Sequence, residues 1–346
     1  MRAAVLRKGT FEIDTFDDPV PEAGQVLVDV KACGICGSDL HFVKHGAKMM
    51  GLVGQMGGTP MSDGDRPQLD LDGSIFMGHE FAGEILEAGP DTATFPVGTL
   101  VTSFPVLLSS TGFAAIVYSN TVHGGYGERM LLSAPLLLEV PNGLDASRAS
   151  LTEPMAVGLH AVNKSKIEQG TGALVLGCGP VGQSVIAALK VRGIEPIVAA
   201  DFSPARRALA LKMGAADAVD PNVESAFDAW ARVGGSSPVV IFEAIGVPGI
   251  INEVMRMAPI GSQIVVVGVC MEPDTITPFF GIGKELNIQF AYSYDPTEFA
   301  GSLRSIAEGE IDVSPLITAE VPLEGMQQAF EDLADPEQHC KIIVTP

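Results

Sequence analysis

The first half of the chain alternates short apolar runs with turn residues, a pattern typical of a β-rich domain. Residues 3–6 and 25–32 are the clearest strands, and the alternation of apolar and polar side chains in the second run gives it one buried face. Glycine and proline punctuate the chain densely up to about residue 150. The pattern predicts a mostly β domain with substantial loops over residues 1–153.

Beyond this domain the rhythm changes to strands and helices in alternation. Four apolar runs lack the polar alternation of an exposed strand: residues 173–176, 196–200, 239–242 and 264–267. Continuous apolar strands separated by helices indicate a parallel sheet covered on both faces. Ser203 and Pro204 fit the N-cap and first position of one of the helices. We therefore predict an α/β two-domain protein, with a doubly wound parallel sheet over residues 154–288 and a return to the first domain over residues 289–346.

One segment fits neither pattern. Residues 44–74 are rich in glycine and methionine and show no clear period, so the sequence predicts a long loop there. Loops of this length in compact domains are usually functional or disordered. Its methionines are more typical of residues that fill gaps between apolar side chains than of a cofactor site.

Composition describes a packed globular protein and excludes several classes of partner. Of the 346 residues 47% are hydrophobic and 18% charged, and the formal net charge is −21. This charge argues against nucleic acids and anionic membrane surfaces as partners. The longest apolar stretch, residues 104–118, contains proline, serine and glycine and is too short to span a bilayer.

Cysteine usage and the N-terminus indicate a reducing compartment. Five cysteines spread over a long chain do not form a disulfide framework. Charges enter at Arg2, Arg7 and Lys8, before the apolar core of a signal peptide develops. We expect a cytoplasmic protein.

A glycine-rich loop follows the apolar run at residues 173–176. Gly177, Gly179 and Gly182 stand between a strand and a helix, and Asp201 follows Gly182 by 19 positions, at the end of the next strand. This context fits the dinucleotide fingerprint, in which a helix N-terminus receives the pyrophosphate and a carboxylate binds the ribose hydroxyls. Asp201 would repel a 2′-phosphate, which favours NAD, although Arg206 and Arg207 lie near enough in sequence to leave NADP open. The further residues expected at the cofactor are Pro180, Val181, Phe202, Arg206, Ile245, Gly246, Val267, Gly268 and Val269.

Cys36 and the pair His79-Glu80 suggest a metal site. Thiolate, imidazole and carboxylate together can hold zinc and leave a coordination position open. Taken alone, the spacing of Cys33 and Cys36 would also fit half a zinc knuckle or a redox pair, but no second cysteine pair follows at knuckle spacing. The combination with a dinucleotide loop one domain later indicates a zinc-dependent dehydrogenase.

These segments together resemble the zinc-containing medium-chain dehydrogenase/reductase family, the alcohol and polyol dehydrogenases, over nearly the whole chain. The matching segments are GICGSDLH at 34–41, GHEFAG at 78–83, EPMAVGLHA at 153–161, the glycine loop, and FEAIG at 242–246. The resemblance implies a GroES-like catalytic domain and a Rossmann domain that binds NAD. It also implies one catalytic zinc per chain.

The resemblance also assigns roles to individual residues. It implies that Cys36 and His79 are zinc ligands, that Glu80 is a direct or exchanging ligand, and that Glu153 is the remaining protein ligand or a water-bridged carboxylate. Ser38 matches the hydroxyl that takes the alcohol proton, and His41 the end of a relay toward solvent, with a solvated loop histidine as the alternative. Asp39 resembles the carboxylate that orients a ligand imidazole. His160 we interpret as structural.

The chain departs from its family in two places. Many relatives carry four closely spaced cysteines for a structural zinc, whereas residues 104–120 contain none, so we expect a single zinc. His79 follows Cys36 by 43 positions, about twice the usual separation in this family. The additional residues should form a loop beside the metal site that acts as a lid, a pocket wall or a subunit contact.

The sequence therefore predicts an NAD- and zinc-dependent oxidoreductase that interconverts an alcohol, preferentially secondary, with its ketone or aldehyde. A polyol or sugar dehydrogenase is the alternative within the family; the aromatic run at residues 290–294, which has no arginine, slightly favours a less polar substrate. A zinc-free quinone or alkene reductase and a non-catalytic dinucleotide-binding protein are the more distant alternatives. We expect a small-molecule partner, no nucleic acid or membrane, and a homodimer or homotetramer.

Overall fold

The computed structural model describes residues 1–56, 69–110, 112–233 and 239–346, which form two compact units. The first unit comprises Met1–Leu151, Ile317–Ala334 and Lys341–Pro346, and the second comprises Thr152–Leu316 and Asp335–Cys340. No helix within the described ranges is long and apolar enough to cross a membrane.

The described chain is divided into strands and helices as follows. The strands are β1 Arg2–Arg7, β2 Thr10–Thr15, β3 Gln25–Gly34, β4 Glu80–Ala88, β5 Leu100–Ser103, β6 Val106–Ser109, β7 Gly112–Ala115, β8 Arg129–Ser133, β9 Leu137–Glu139, β10 Ala173–Leu176, β11 Ile197–Ala200, β12 Asp217–Val219, β13 Val240–Glu243, β14 Gln263–Val266, β15 Asn287–Phe290, β16 Ile317–Val321 and β17 Lys341–Val344. The helices are α1 Gly37–Gln55, α2 Ala146–Ser150, α3 Thr152–Lys164, α4 Pro180–Val191, α5 Pro204–Met213, α6 Ala226–Arg232, α7 Ile250–Met257, α8 Pro278–Lys284, α9 Pro296–Ala307 and α10 Met326–Asp332.

The first unit is the β-rich domain that the sequence predicts. Its main sheet has the order β16-β17-β3-β4-β5-β9, with β8 also paired to β3. Strand β3 is buried over most of its length, and its apolar side chains belong to one large core together with those of β4 and the C-terminal strand β17. The chain therefore returns at its end to the main sheet of its N-terminal half.

The second unit contains the predicted doubly wound parallel sheet. Its six strands have the order β12-β11-β10-β13-β14-β15 and all neighbouring pairs are parallel. Numbered within the unit this is 3-2-1-4-5-6, the order of a dinucleotide-binding fold. The predicted N-cap is confirmed, because the side chain of Ser203 accepts a hydrogen bond from the Arg206 N–H at the start of α5.

Part of the expected loop at residues 44–74 is helical instead. Helix α1 continues through Gln55, with a kink at His45 where φ is −139° and ψ is 24°. Phe42 is buried and stacks on Tyr118 with ring centroids 3.9 Å apart, and Met49 and Met50 pack against the core of the first unit. These tertiary contacts stabilise a helix whose glycine-rich sequence gives little sign of one. Residues 57–68 of the segment lie outside the described residues.

The return to the first unit begins later than the expected boundary at residue 289. Strand β15 pairs with β14 from Gln263↔Asn287 onward, and α9 packs on α3, so both elements belong to the second unit. The first unit resumes at Ile317. Residues 287–346 contain short strands of both units, and the local hydrophobic pattern does not show to which unit each strand belongs.

The cysteine-free stretch at residues 104–120 contains two paired strands. Strands β6 and β7 pair antiparallel, with Val106 opposite Ala115 and Ser109 opposite Gly112. Backbone hydrogen bonds thus organise this stretch without cysteine ligands.

Candidate active site

The register of β3 and β4 brings Cys36 and His79 together. The two strands pair antiparallel with Gly34 opposite Glu80, so Cys36 follows one strand and His79 precedes the other at the same end of the sheet. Cys36 is the residue immediately before α1 and has an extended backbone. The separation of the two motifs in sequence therefore does not prevent their side chains from meeting.

Two glycines make this close approach possible. A Cβ on Gly34 would lie 2.1 Å from the Glu80 carboxylate. Gly78 has a φ of +99°, and a Cβ there would lie 2.8 Å from the ring of Tyr126. A larger residue at either position would displace the segment that carries His79.

Cys36, which is partly buried, and His79, which is buried, form a thiol–imidazole pair. Burial raises the pKa of the Cys36 thiol, while the charge of His79 and a hydrogen bond between the two side chains oppose that rise. His79 is 7% exposed. A divalent cation bound here would favour the thiolate over the thiol, as expected for a metal ligand.

Asp39 lies behind the histidine in a fully buried position. Its Oδ1 is 3.6 Å from His79 Nδ1, and its Oδ2 accepts a hydrogen bond of 2.5 Å from the Tyr126 hydroxyl. Burial raises the pKa of Asp39, while His79 and the Tyr126 hydrogen bond lower it. Burial and the charge of Asp39 raise the pKa of Tyr126 well above its usual value, so the phenol remains a proton donor.

Glu80 is held by a lysine from the far end of the chain. Lys341 Nζ lies 2.7 and 2.8 Å from the two Glu80 carboxylate oxygens and 2.9 Å from the Ile35 carbonyl oxygen. Lys341 is 2% exposed and Glu80 is fully buried. Both oxygens of Glu80, which was expected to be a direct or exchanging ligand, are thus hydrogen-bonded to an ammonium group. Of the expected ligands, Cys36 and His79 contact each other.

The expected relay residues lie on the first turns of α1. Ser38 is two residues beyond Cys36 and partly buried, and His41 is one helical turn further on. Partial desolvation lowers the pKa of His41, and electrostatic interactions with the nearby side chains of His45 and Lys44 lower it further. The imidazole of His41 is therefore neutral at neutral pH, the form that can accept a proton.

Glu153 and His160 belong to the second unit, on helix α3. Glu153 is in the first turn of that helix and is 8% exposed. His160 Nδ1 lies 2.7 Å from Glu298 Oε2 of α9, and Asn163 donates to the other Glu298 oxygen. These bonds tie α3 to α9 and agree with a structural role for His160.

The glycine loop of the second unit has the geometry that a dinucleotide requires. Gly177 has a φ of +90°, and a Cβ on Gly182 would lie 1.9 Å from the Gly177 carbonyl oxygen, so the helix packs tightly against the strand. Gly179 precedes α4, and the nearest atom to a Cβ there would be Arg206 Nη1 at 4.0 Å. The start of α4 is thus open to an anionic group beside a guanidinium.

Backbone N–H groups hold the Asp201 carboxylate in place. Its two carboxylate oxygens accept hydrogen bonds from the backbone N–H groups of Cys178, at 2.7 Å, and Ser203, at 2.8 Å. Arg207 is engaged with the carbonyl oxygens of Asp201 and Phe202 and with the Asp220 carboxylate. Arg206 Nε is buried and has no hydrogen bond within the described part of the chain.

The loops after β13 and β14 lie against each other beside the same strand ends. Glu243 Oε1 accepts from the N–H groups of Ile245 and Gly246, and its backbone carbonyl accepts from those of Val267 and Gly268. A Cβ on Gly246 would lie 2.6 Å from the Val269 nitrogen. The residues expected at the cofactor therefore lie at the carboxyl ends of neighbouring parallel strands, where ligands of such folds bind.

Sequence reasoning missed two residues of this arrangement. Lys341 and Tyr126 contact expected site residues, yet a lysine at the start of an apolar strand and a tyrosine among glycines carry no local signal of such contacts. Glu243 lies in the segment at residues 242–246 that matches the family, but the sequence assigned it no role of its own. Within the described ranges no group of three or more His, Cys, Asp and Glu side chains is placed to hold a metal ion. The thiol and imidazole of Cys36 and His79, with the Asp39 carboxylate behind the histidine, still match the chemistry of a zinc site.

Comparisons with known proteins cover both units. A model of the alcohol dehydrogenase GroES-like domain matches residues 22–142, and a model of zinc-binding dehydrogenases matches residues 180–308. The chain is 30% identical over 348 residues to (R,R)-butanediol dehydrogenase of Bacillus subtilis strain 168, covering 96% of each, and 28% identical over 364 residues to sorbitol dehydrogenase of the same strain, covering 100% of this chain and 97% of that protein. The crystal structure of the Bacillus subtilis 2R,3R-butanediol dehydrogenase superposes with a TM-score of 0.82 at 29% identity, covering 100% of this chain and 99% of that one.

Proposed function

The chain belongs to the zinc-containing medium-chain dehydrogenase/reductase family of alcohol and polyol dehydrogenases, and we propose that within it the protein is an NAD-dependent enzyme acting on a small secondary alcohol of the vicinal diol type. The family makes it an oxidoreductase that transfers hydride between a nicotinamide cofactor and an alcohol. Two relatives are named for 2R,3R-butanediol and sorbitol, and both of these compounds carry secondary hydroxyl groups on adjacent carbons, which supports this substrate class.

The observation that carries the proposal is the contact between Cys36 and His79 with Ser38 two residues away. We assign the zinc to Cys36 and His79, with Glu80 as the carboxylate that Lys341 restrains. Bound there, zinc would supply the Lewis acidity that makes the substrate hydroxyl more acidic, and a bound nicotinamide would supply the hydride acceptor.

The chain's own groups move the proton and bind the cofactor. Ser38 takes the proton from the substrate hydroxyl and releases its own hydroxyl proton toward His41, which delivers it to solvent; the lowered pKa of His41 favours the neutral imidazole that accepts it. The glycine loop and the start of α4 receive the pyrophosphate, and Asp201 receives the adenosine ribose. Arg206, beside Gly179, contributes a positive charge to the same place.

We expect purified protein to contain about one zinc per chain, because residues 104–120 offer no cysteine for a second site. We also expect reduction of NAD with 2,3-butanediol or a related diol, and a higher kcat/KM with NAD than with NADP because Asp201 repels a 2′-phosphate. Asp201→Asn keeps a carbonyl acceptor and removes the charge. It should narrow the NAD preference by about 10- to 150-fold, the equivalent of about 1.5–3 kcal/mol for hydrogen bonds to a charged group.

Asp217→Asn is the matched control for this experiment. It removes one negative charge from the neighbouring strand β12, where Asp217 pairs with Arg232 at 2.6 Å. Its NAD preference should equal that of the wild type. Two tightly held zinc ions per chain, or a wild-type preference for NADP, would contradict the respective parts of the proposal.

We further propose that the protein is a homodimer formed through β15. Among the described strands β15 pairs only with β14, at the edge of the six-stranded sheet. Phe290 at its end is 65% exposed, Tyr292 is 88% exposed, and Phe279 and Ile282 on α8 are each 76% exposed. An exposed strand edge beside apolar side chains favours pairing with a second copy across a two-fold axis.

Phe290→Asp tests the dimer. The wild type should have about twice the chain mass of 36.1 kDa in sedimentation velocity, and the variant should shift toward the monomer because a carboxylate in a paired edge is costly to bury. Val223→Asp, which alters an 85% exposed side chain in a turn of the same unit, is the control and should leave the mass unchanged. A wild-type monomer, or a dimeric Phe290→Asp protein, would exclude this interface.

A further inference from the structure

Tyr126 is packed into the segment that carries His79. Its side chain is 1% exposed, and its ring makes edge contacts with Phe11 and Phe330 at centroid distances of 6.3 and 6.2 Å. The Tyr126 N–H donates to the Met77 carbonyl oxygen at 3.2 Å, two residues before the histidine. Ring and backbone together fix the position of the phenol relative to this segment.

The hydroxyl of Tyr126 is directed at Asp39. It lies 2.5 Å from Asp39 Oδ2 and 3.4 Å from the Gly34 carbonyl oxygen, so its single proton goes to the carboxylate. A phenol–carboxylate bond of this length belongs to the short, charge-assisted class. It holds one oxygen of a fully buried carboxylate whose other oxygen faces His79 Nδ1 at 3.6 Å.

The contacts therefore run in order from Tyr126 through Asp39 and His79 to Cys36. Rotation of the Asp39 carboxylate would move Oδ1 away from the imidazole, and the Tyr126 hydrogen bond opposes that rotation. A phenylalanine at position 126 would fill the same space but leave Asp39 Oδ2 without this donor. The hydroxyl, and not the ring, is thus the part of the residue that acts on the metal pair.

We infer that Tyr126 is a positioning residue of the zinc site, which orients the His79 imidazole for the metal through Asp39. The inference rests on the zinc site of the proposed function and adds to it a residue that contacts neither metal nor substrate. Partners that orient a ligand histidine typically change metal affinity by about 10- to 100-fold when they are removed.

The test is the affinity for zinc of the complete protein, measured by competition with a chromophoric chelator. Tyr126→Phe should weaken zinc binding by about 10- to 100-fold, and Asp39→Asn by at least as much. In a Tyr126→Phe/Asp39→Asn double variant the second substitution should add little, because the hydroxyl acts through the carboxylate. Visible absorption of the cobalt-substituted Tyr126→Phe protein should also differ from that of the wild type, a change that a loss of packing elsewhere would not produce.

Tyr118→Phe is the control, since it removes a hydroxyl from another aromatic ring of the same unit, the one stacked on Phe42. Its zinc affinity should remain within a factor of about two of the wild-type value, the equivalent of about 0.5 kcal/mol. A wild-type protein that binds no zinc overturns the proposed function itself. Wild-type zinc binding combined with an unchanged affinity in Tyr126→Phe, or with full additivity in the double variant, overturns the role of Tyr126 alone. If Tyr126→Phe does not fold, the affinity and cobalt spectrum of Asp39→Asn decide: wild-type values for both exclude a path through Asp39.

Discussion

Replacing Lys341 by methionine should destabilise the protein by about 3–5 kcal/mol, the usual cost of leaving a buried charge without its partner. Lys341 Nζ lies within 2.8 Å of both Glu80 oxygens, and both residues are almost inaccessible to water. Methionine fills a similar volume, so the loss is electrostatic and not a cavity. Because whole domains are stable by about 5–15 kcal/mol, urea unfolding should show a greatly reduced midpoint.

Two further variants separate this effect from general damage. Adding Glu80→Gln to Lys341→Met removes the unpaired charge, so the double variant should recover much of the lost stability. Lys31→Met removes a lysine from the same sheet whose partners Asp29 and Glu84 are partly exposed, and it should cost less than about 1 kcal/mol. A Lys341→Met protein as stable as Lys31→Met would show that the buried pair contributes no net stability.

The fold was largely predictable because its strands differ in hydrophobic pattern. The continuous apolar run at residues 173–176 is a central strand of a parallel sheet, whereas the alternating run at residues 25–32 belongs to the mixed sheet of the first unit. These patterns are local and depend on which faces of a strand are buried. The division into a β-rich unit and a dinucleotide fold follows from them.

Elements defined by distant contacts were not predictable in the same way. Helix α1 continues past residue 44 because Phe42, Met49 and Met50 pack on the core, while its glycines are unfavourable to a helix. Strand β15 belongs to the second unit because it pairs with β14, although its local pattern resembles that of the strands in the tail. Both cases are tertiary contacts that override local preference.

The candidate site also contains residues that local motifs indicate and residues that only distant contacts bring into place. Cys36, His79 and the glycine loop were identified from motifs, since their residue types have few chemical alternatives at such spacing. The partner of Glu80 is 261 positions away in the sequence, and that of Asp39 is 87 positions away. No spacing rule connects them, because the register of β3 with β4 and β17 decides which side chains meet. Motifs in the sequence therefore indicate the candidate ligands and the cofactor loop. The residues that contact and orient them are set by tertiary structure.

The proton path gives the largest expected effect on turnover. Ser38→Ala should lower kcat by about 10²–10⁴-fold, the range for removal of a group that transfers a proton in the transition state, while zinc remains bound. His41→Ala should lose less, because solvent can accept the proton in its place. Its loss should be greatest below neutral pH, because hydroxide and other solvent bases become scarce there while the lowered pKa extends the range of pH in which His41 can accept a proton.

Cys36→Ala distinguishes a lost relay from a lost metal. It removes a ligand and should lose both zinc and turnover, whereas Ser38→Ala should retain about one zinc per chain with its NAD affinity unchanged. Measuring zinc content, cofactor affinity and the pH dependence of kcat on the three variants separates the roles. Near-normal turnover in a zinc-loaded Ser38→Ala protein would remove Ser38 from the proton path. If kcat of His41→Ala were lower than that of the wild type by the same factor at every pH, His41 would be removed as well, because the loss of an imidazole that carries the proton must lower kcat most at the pH values where no other base replaces it.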